Sequence, residues 1–114
     1  MKWMKNLYIG GLSEKRVQEL KKRIRRKKKA VGCYVLFPSV SPRNQLDLMD
    51  VKYLHLDYYR QREDLVIIGL ASGEEDGIRL IHRLTEECFR DTGTADLHAY
   101  ALRRIAEEGT EGSA

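Results

Sequence analysis

The sequence predicts an α/β fold: a single three-layer domain with a small, mainly parallel sheet, ordered β-α-β-α-β-α-α, with flanking helices. Three observations carry that expectation. Leu65–Ala71 is apolar almost throughout and lacks the period-2 alternation of a strand that hides one face, so both of its faces are expected to be covered. Val31–Phe37 is a second such run. Stretches with helical periodicity separate and follow them, and strands alternating with helices imply parallel pairing through right-handed crossovers. At 114 residues the chain has the length of one domain, assigned to 1–108, with 109–114 as a flexible tail.

Asn6–Ile9 is the first expected strand, followed by Gly10-Gly11. Ser13 is placed to cap a helix, with Leu12 and Val17 positioned as a hydrophobic staple. Val17, Leu20 and Ile24 form its narrow apolar stripe, and the cations Arg25–Lys29 suit its carboxyl end. Pro38 ends the Val31–Phe37 strand. Ser41-Pro42 then reads as a helix start, with Leu46, Met49 and Tyr53 on one face and an end near residue 52. Residues 53–62 fit either period, because Leu54, Leu56 and Tyr58 alternate.

The β-branched Val66, Ile67 and Ile68 favour a strand, and Gly69 within it marks a close backbone approach. Ser72 and Glu75 have capping-box spacing, and Glu74, Glu75 and Asp76 suit a helix start. Ile78, Ile81, Leu84, Thr85 and Cys88, widened by Leu80 and Phe89, are the expected inward stripe. Glu75–Arg79 and Glu86–Arg90 have ion-pair spacing, and Gly93 is a stop signal. Asp96 is placed to cap a last helix through Leu97, Ala101 and Ile105.

The net charge of +4 hides an asymmetry. Residues 1–43 hold 13 Lys and Arg against Glu14 and Glu19, or +11; residues 44–114 hold 8 against 15, or −7. Such a split marks a polyanion-binding end, or two faces of one domain that attract each other. Ten cations lie within residues 15–29. Lys21, Lys22, Arg25, Arg26, Lys27, Lys28 and Lys29 are the candidate polyanion contacts, weighed against a solvated helix face. Consecutive cations at 25–29 would point all round a helix, and Tyr34 and Phe37 sit in a buried run, which makes them poor stacking platforms. An acidic protein or a second copy of the chain is the other class of partner.

Gly10, Gly11, Ser13, Lys15 and Arg16 form a candidate anion site, since free N–H groups at a helix start bind anions; an ordinary βα turn is the plainer account. Neither GxGxxG nor GxxxxGK[ST] is present, and no cofactor is implied. His82 and Glu86 have metal-pair spacing without a third ligand nearby, and a His55/Asp57 pair lacks a nucleophile motif such as GxSxG, so neither a metal nor a catalytic residue is assigned. Cys33 and Cys88 read as reduced, buried thiols of a cytoplasmic protein. No segment has the form of a signal peptide or the ~20 apolar residues of a membrane span.

Leu7-Tyr8-Ile9-Gly10, the basic helix, Val31–Phe37 with Pro38, Asn44-Gln45-Leu46-Asp47, Tyr58-Tyr59 and Leu65–Glu75 together resemble a group of small, uncharacterised bacterial α/β proteins. The resemblance implies a shared small α/β fold over roughly residues 7–100 and transfers no functional residue.

Three functions follow as expectations. The first is a non-enzymatic module that places the 15–29 helix on a polyanion such as nucleic acid. The second is a protein-interaction or homo-dimerising domain in which that helix meets the 74–76 or 107–111 region of a second copy. The third is a small enzyme or ligand binder with an anion at Gly10–Arg16. In a parallel sheet, Gly10-Gly11, Pro38–Ser41 and Ala71–Gly73 would share the carboxyl end, and a bound anion is expected nearer Ser13 than Ser72.

Overall fold

Val66–Ala71 and the Tyr34–Phe37 part of the second apolar run lie inside a five-stranded sheet, whereas Val31 and Gly32, expected in the second strand, form a turn that leaves Val31 exposed. The computed structural model of the chain describes residues 1–41 and 43–113. The elements are β1 (Lys2–Gly10), α1 (Glu14–Arg25), β2 (Tyr34–Pro38), β3 (Leu46–Asp50), α2 (Val51–Leu54), α3 (Asp57–Arg60), β4 (Val66–Ala71), α4 (Glu74–Thr92), α5 (Leu97–Glu108) and β5 (Thr110–Ser113). The strand order is β3-β2-β4-β1-β5. β4 sits at the centre, covered on both faces, as its unbroken apolar run predicts.

The sheet is mixed, not mainly parallel. Only β1 and β4 pair in parallel; β2 runs antiparallel to both β3 and β4, and β5 antiparallel to β1. The reason lies between residues 39 and 45. A parallel crossover takes a dozen or more residues, whereas this connection is a short turn that sends the chain straight back. The helix expected up to residue 52 is therefore β3 over Leu46–Asp50, and helix begins only at Val51, where the Asp50 side chain accepts from the Lys52 N–H at 2.9 Å. Pro42, half of the expected helix start, lies outside the described residues. Residues 53–62 hold the end of α2 and the single turn of α3.

The sheet separates two apolar layers. Trp3, Val35, Phe37, Ile67 and Leu70 pack with Val17, Leu20 and Ile24 of α1. Met4, Tyr8, Leu36 and Ile68 pack with Leu80, Leu84 and Cys88 of α4 and Tyr100 and Ala101 of α5. Gly69 is the expected close approach: a Cβ there would lie 3.2 Å from the Tyr8 carbonyl oxygen and 3.3 Å from the Leu36 Cβ.

α1 is built as expected. Ser13 Oγ accepts from the Arg16 N–H at 3.1 Å, and Leu12 packs against the layer that holds Val17. α4 differs in two respects. Its N-cap is Gly73, and the Ser72 hydroxyl donates to Asp76 in place of a capping box with Glu75. The helix is also rotated: Gly77, Leu80, Leu84 and Cys88 face inward, while Ile78 and Phe89 are 43% and 63% exposed. Gly77 explains the rotation, because a Cβ at that position would crowd the Leu48 side chain, so the glycine lets α4 settle onto β3. Glu75–Arg79 forms at 3.0 Å, whereas Arg90 pairs with Asp91 at 3.4 Å and not with Glu86. Gly93 ends α4 in the left-handed region (φ 73°), and Asp96 caps α5 by accepting from the Ala99 N–H at 3.1 Å. Of the expected tail, Thr110–Ser113 forms β5 beside β1.

No described helix is long and apolar enough to cross a membrane.

Candidate polyanion-binding surface

α1 ends at Arg25 in a turn that separates its cations. The Lys27 N–H donates to the Ile24 carbonyl at 3.1 Å and the Lys28 N–H to that of Arg23 at 2.8 Å, the paired bonds of a Schellman cap. Such a cap puts a left-handed residue after the helix, normally glycine. Here it is Lys27, at φ 55°, the one non-glycine residue with positive φ among those described. A side chain in that conformation costs about 1–2 kcal/mol.

Three side chains pin the turn. Arg60 of α3 donates to the carbonyls of Ile24 and Arg25, both at 2.7 Å, and so places a cation on the negative end of the α1 dipole. Arg23 Nε donates to the Lys29 carbonyl at 2.6 Å. His55 Nε2 lies 3.1 Å from the Lys28 carbonyl oxygen; that oxygen can only accept, so Nε2 carries the proton. His55 Nδ1 is buried without a partner among the described residues.

The expected polyanion contacts consequently divide four ways. Lys22, Arg26 and Lys28 line one shallow groove along α1 with Arg16, Glu19 and Arg23. Lys27 and Lys29 turn into a second concavity, of about 460 Å³, bounded by Ala30, Val31, Gly32, Asp50, Lys52 and His55. Lys21 points inward: it is buried, pairs with Glu111 of β5, and lies 5.3 Å from the centre of the Trp3 ring. It clamps α1 to β5, so it is not a surface contact. Arg25 is exposed at the turn.

The tyrosines of the 53–62 segment add what the basic helix lacked. Tyr53 and Tyr58 are 51% and 59% exposed, on the two short helices that His55 and Arg60 tie to the basic turn. Lys52 Nζ lies 5.0 Å from the Tyr53 ring centre, and the Arg62 guanidinium 5.3 Å from that of Tyr58. Exposed rings beside cations can stack on bases. The signal is present in the sequence as Lys52-Tyr53 and Tyr58-Tyr59-Arg60-Gln61-Arg62, within the stretch whose period is ambiguous.

The expected anion turn has acidic neighbours. A Cβ at Gly11, at φ 69°, would collide with the Asp76 carboxylate and the Ser72 hydroxyl, so Asp76 sits directly against this turn. Asp76 is held ionised, its pKa below the usual range, by the Ser72 hydroxyl and then Arg79. Ser13 Oγ is engaged by the Arg16 N–H, and the Arg16 guanidinium pairs with Glu19 at 3.1 Å; Lys15 is exposed. Nor do the three expected turns share one end of the sheet. Tyr34 pairs with Ala71 and Leu36 with Gly69, so Pro38–Ser41 lies at the end opposite Gly10-Gly11 and Ala71–Gly73. What replaces it at the carboxyl ends of β1, β3 and β4 is the start of β2, with Gly32 and the lysine-lined concavity next to Asp50.

Cys33 and Cys88 are free and buried, and burial pushes the Cys33 thiol up to about 11. His82 and Glu86 are both exposed on α4, and no group of three or more His, Cys, Asp or Glu side chains gathers among the described residues. The chain matches no family model, no curated protein and no solved structure.

Proposed function

We propose that this chain is a non-enzymatic binding module that engages single-stranded nucleic acid along the α1 groove and the turn that follows it. The observation that carries the proposal is unmet charge. Lys22, Arg25, Arg26, Lys27, Lys28 and Lys29 have no carboxylate partner among the described residues, although the chain holds 17 acidic side chains. Cations held in a groove can follow phosphates and release counterions, and Tyr53 and Tyr58 supply ring faces for bases. A gel shift with a single-stranded oligonucleotide at low salt tests the proposal. Replacing Arg25, Arg26, Lys27 and Lys28 with Ser weakens binding and flattens its salt dependence. Absence of any shift by the unmodified protein at low salt overturns it.

A second reading carries the same cations to protein. Ile78 and Phe89 are exposed on α4, Ile78 one turn from Glu74 and Glu75 and Phe89 near the other end of the helix. A second copy could set that apolar, acidic face on the basic turn. Sedimentation then shows a dimer that dissociates as salt rises; a monomer at low salt and high protein concentration rejects it.

A further inference from the structure

The groove and the concavity beside it differ in what they can hold. The groove is open along α1 and suits a continuous backbone with one charge per phosphate. The concavity is closed on one side by the 27–32 loop and on the other by the start of α2. We infer that it is a subsite for a terminal phosphate, a phosphoryl group at the end of a strand or on a mononucleotide, held by Lys27, Lys29 and Lys52. This deepens the nucleic-acid proposal by assigning the site that reads the strand's end.

Three features of this place point the same way. The first is charge. Three lysines face one carboxylate, Asp50, which already accepts from the Lys52 N–H, and none of the three has a carboxylate partner among the described residues. The surplus of two positive charges matches a phosphate monoester, which carries between −1.5 and −2 near neutral pH, better than an internal diester. The second is backbone strain. Lys27 occupies the cap position where glycine would be relaxed, so a side chain is retained there against a conformational cost; such residues gather where a side chain has a task. The third is framing. His55 fixes the far wall through Lys28, Arg23 fixes the near one through Lys29, and Val31, 89% exposed, forms an apolar lip where a sugar or base can rest. The concavity lies beyond the carboxyl end of β3, at the end of the sheet where the parallel pair β1 and β4 also finishes.

Paired oligonucleotides that differ only in a 5′-phosphate or a 5′-hydroxyl test the inference, with adenosine monophosphate and inorganic phosphate as competitors. The full chain binds the phosphorylated strand about tenfold more tightly, through charge-assisted hydrogen bonds to the added phosphoryl oxygens. Lys52→Ala and Lys27→Gly each reduce that ratio to near one, and both competitors displace the phosphorylated strand's advantage only in the unmodified protein. If both strands bind the unmodified protein equally, the subsite is wrong while the nucleic-acid proposal stands. If no strand binds but the mononucleotide does, in a manner lost in Lys52→Ala, the subsite stands and the strand proposal falls. If neither binds, both fall.

Discussion

The cations of α1 and those of α4 and α5 are met in opposite ways. Every arginine of the two C-terminal helices has a carboxylate: Arg79 with Glu75 and Asp76, Arg83 with Glu87, Arg90 with Asp91, Arg103 with Glu107, and Arg104 with Glu107 and Glu108. Most of these pairs lie three or four residues apart on one helix, so the sequence neutralises its own surface locally. In α1 and the turn after it, Arg16 and Lys21 alone find carboxylates among the described residues. Glu14 on α1, Asp50 beside the turn and Asp57 on α3 lie in the same region, yet none forms an ion pair with these cations among the described residues. A region that is basic in composition and also unpaired in space is available to an outside anion, whereas a charged but self-paired region is not.

Charge reversal breaks that comparison most severely. Lys22→Glu with Arg26→Glu lowers affinity for a single-stranded oligonucleotide about 100-fold at low salt, because phosphate contacts become repulsions. Arg79→Glu with Arg90→Glu, the same change of charge on α4, costs less than about threefold by that same logic. Fluorescence anisotropy measures both. Equal losses would mean that only net charge matters and that the α1 groove is not the site.

Stability separates Lys21 from Lys27. Lys21→Met leaves Glu111 without its partner and lowers stability by about 1–2 kcal/mol, less than for a fully buried pair because Glu111 remains partly exposed. Lys27→Gly raises stability by about 0.5–1 kcal/mol, since relief of the left-handed backbone outweighs the freedom glycine gives the unfolded chain. Urea denaturation reads both. A loss on Lys27→Gly would show that the lysine is structural.

pH gives the smallest effect and bears on the acid-rich half. The carboxyls of Asp64, Asp91, Glu107 and Glu111 are held below the usual range by Arg62, Tyr100, Arg103 and Lys21 respectively, as Asp76 is by Ser72. Depressed folded pKa values contribute stability that is present above about pH 4 and lost as pH falls through them. Tyr8 works in the other sense. Burial, then its hydrogen bond to Glu87, pushes it up to about 12, so its contribution is present below pH 10 and lost as pH rises toward that value. Thermal melts across pH show a broad plateau that falls at both ends; a melting temperature rising below pH 4 would contradict the carboxylate assignments.

Much of the fold was legible because some signals admit one outcome. Val66–Ala71 has no polar face to expose, so it is central; Ser13, Gly93 and Asp96 each sit where a helix must begin or end. The errors arise where a signal serves two periods or depends on distant partners. Leu46 and Met49 fit a helix, yet Leu46 and Leu48 fit a strand, and the short return from β2 decides for the strand. The α4 stripe is displaced because Gly77, silent in an apolar pattern, is the residue that fits over Leu48. β5 is polar and short, so only its pairing with β1 reveals it. The site follows the same rule. The basic segment is plain in the sequence, but that Lys21 turns inward, that Asp76 crowds Gly11, and that Lys52 and His55 join Lys27 and Lys29 are facts of tertiary structure.

The salt dependence of oligonucleotide binding tests the central claim most directly. Single-stranded nucleic acid contributes a slope of about −0.7 in log K against log salt for each phosphate neutralised. The α1 groove presents four cations without a carboxylate partner among the described residues, Lys22, Arg23, Arg26 and Lys28, so the unmodified protein gives a slope of about −3. A slope shallower than about −1, or no binding at low salt, would contradict the claim that these unpaired cations are an interface.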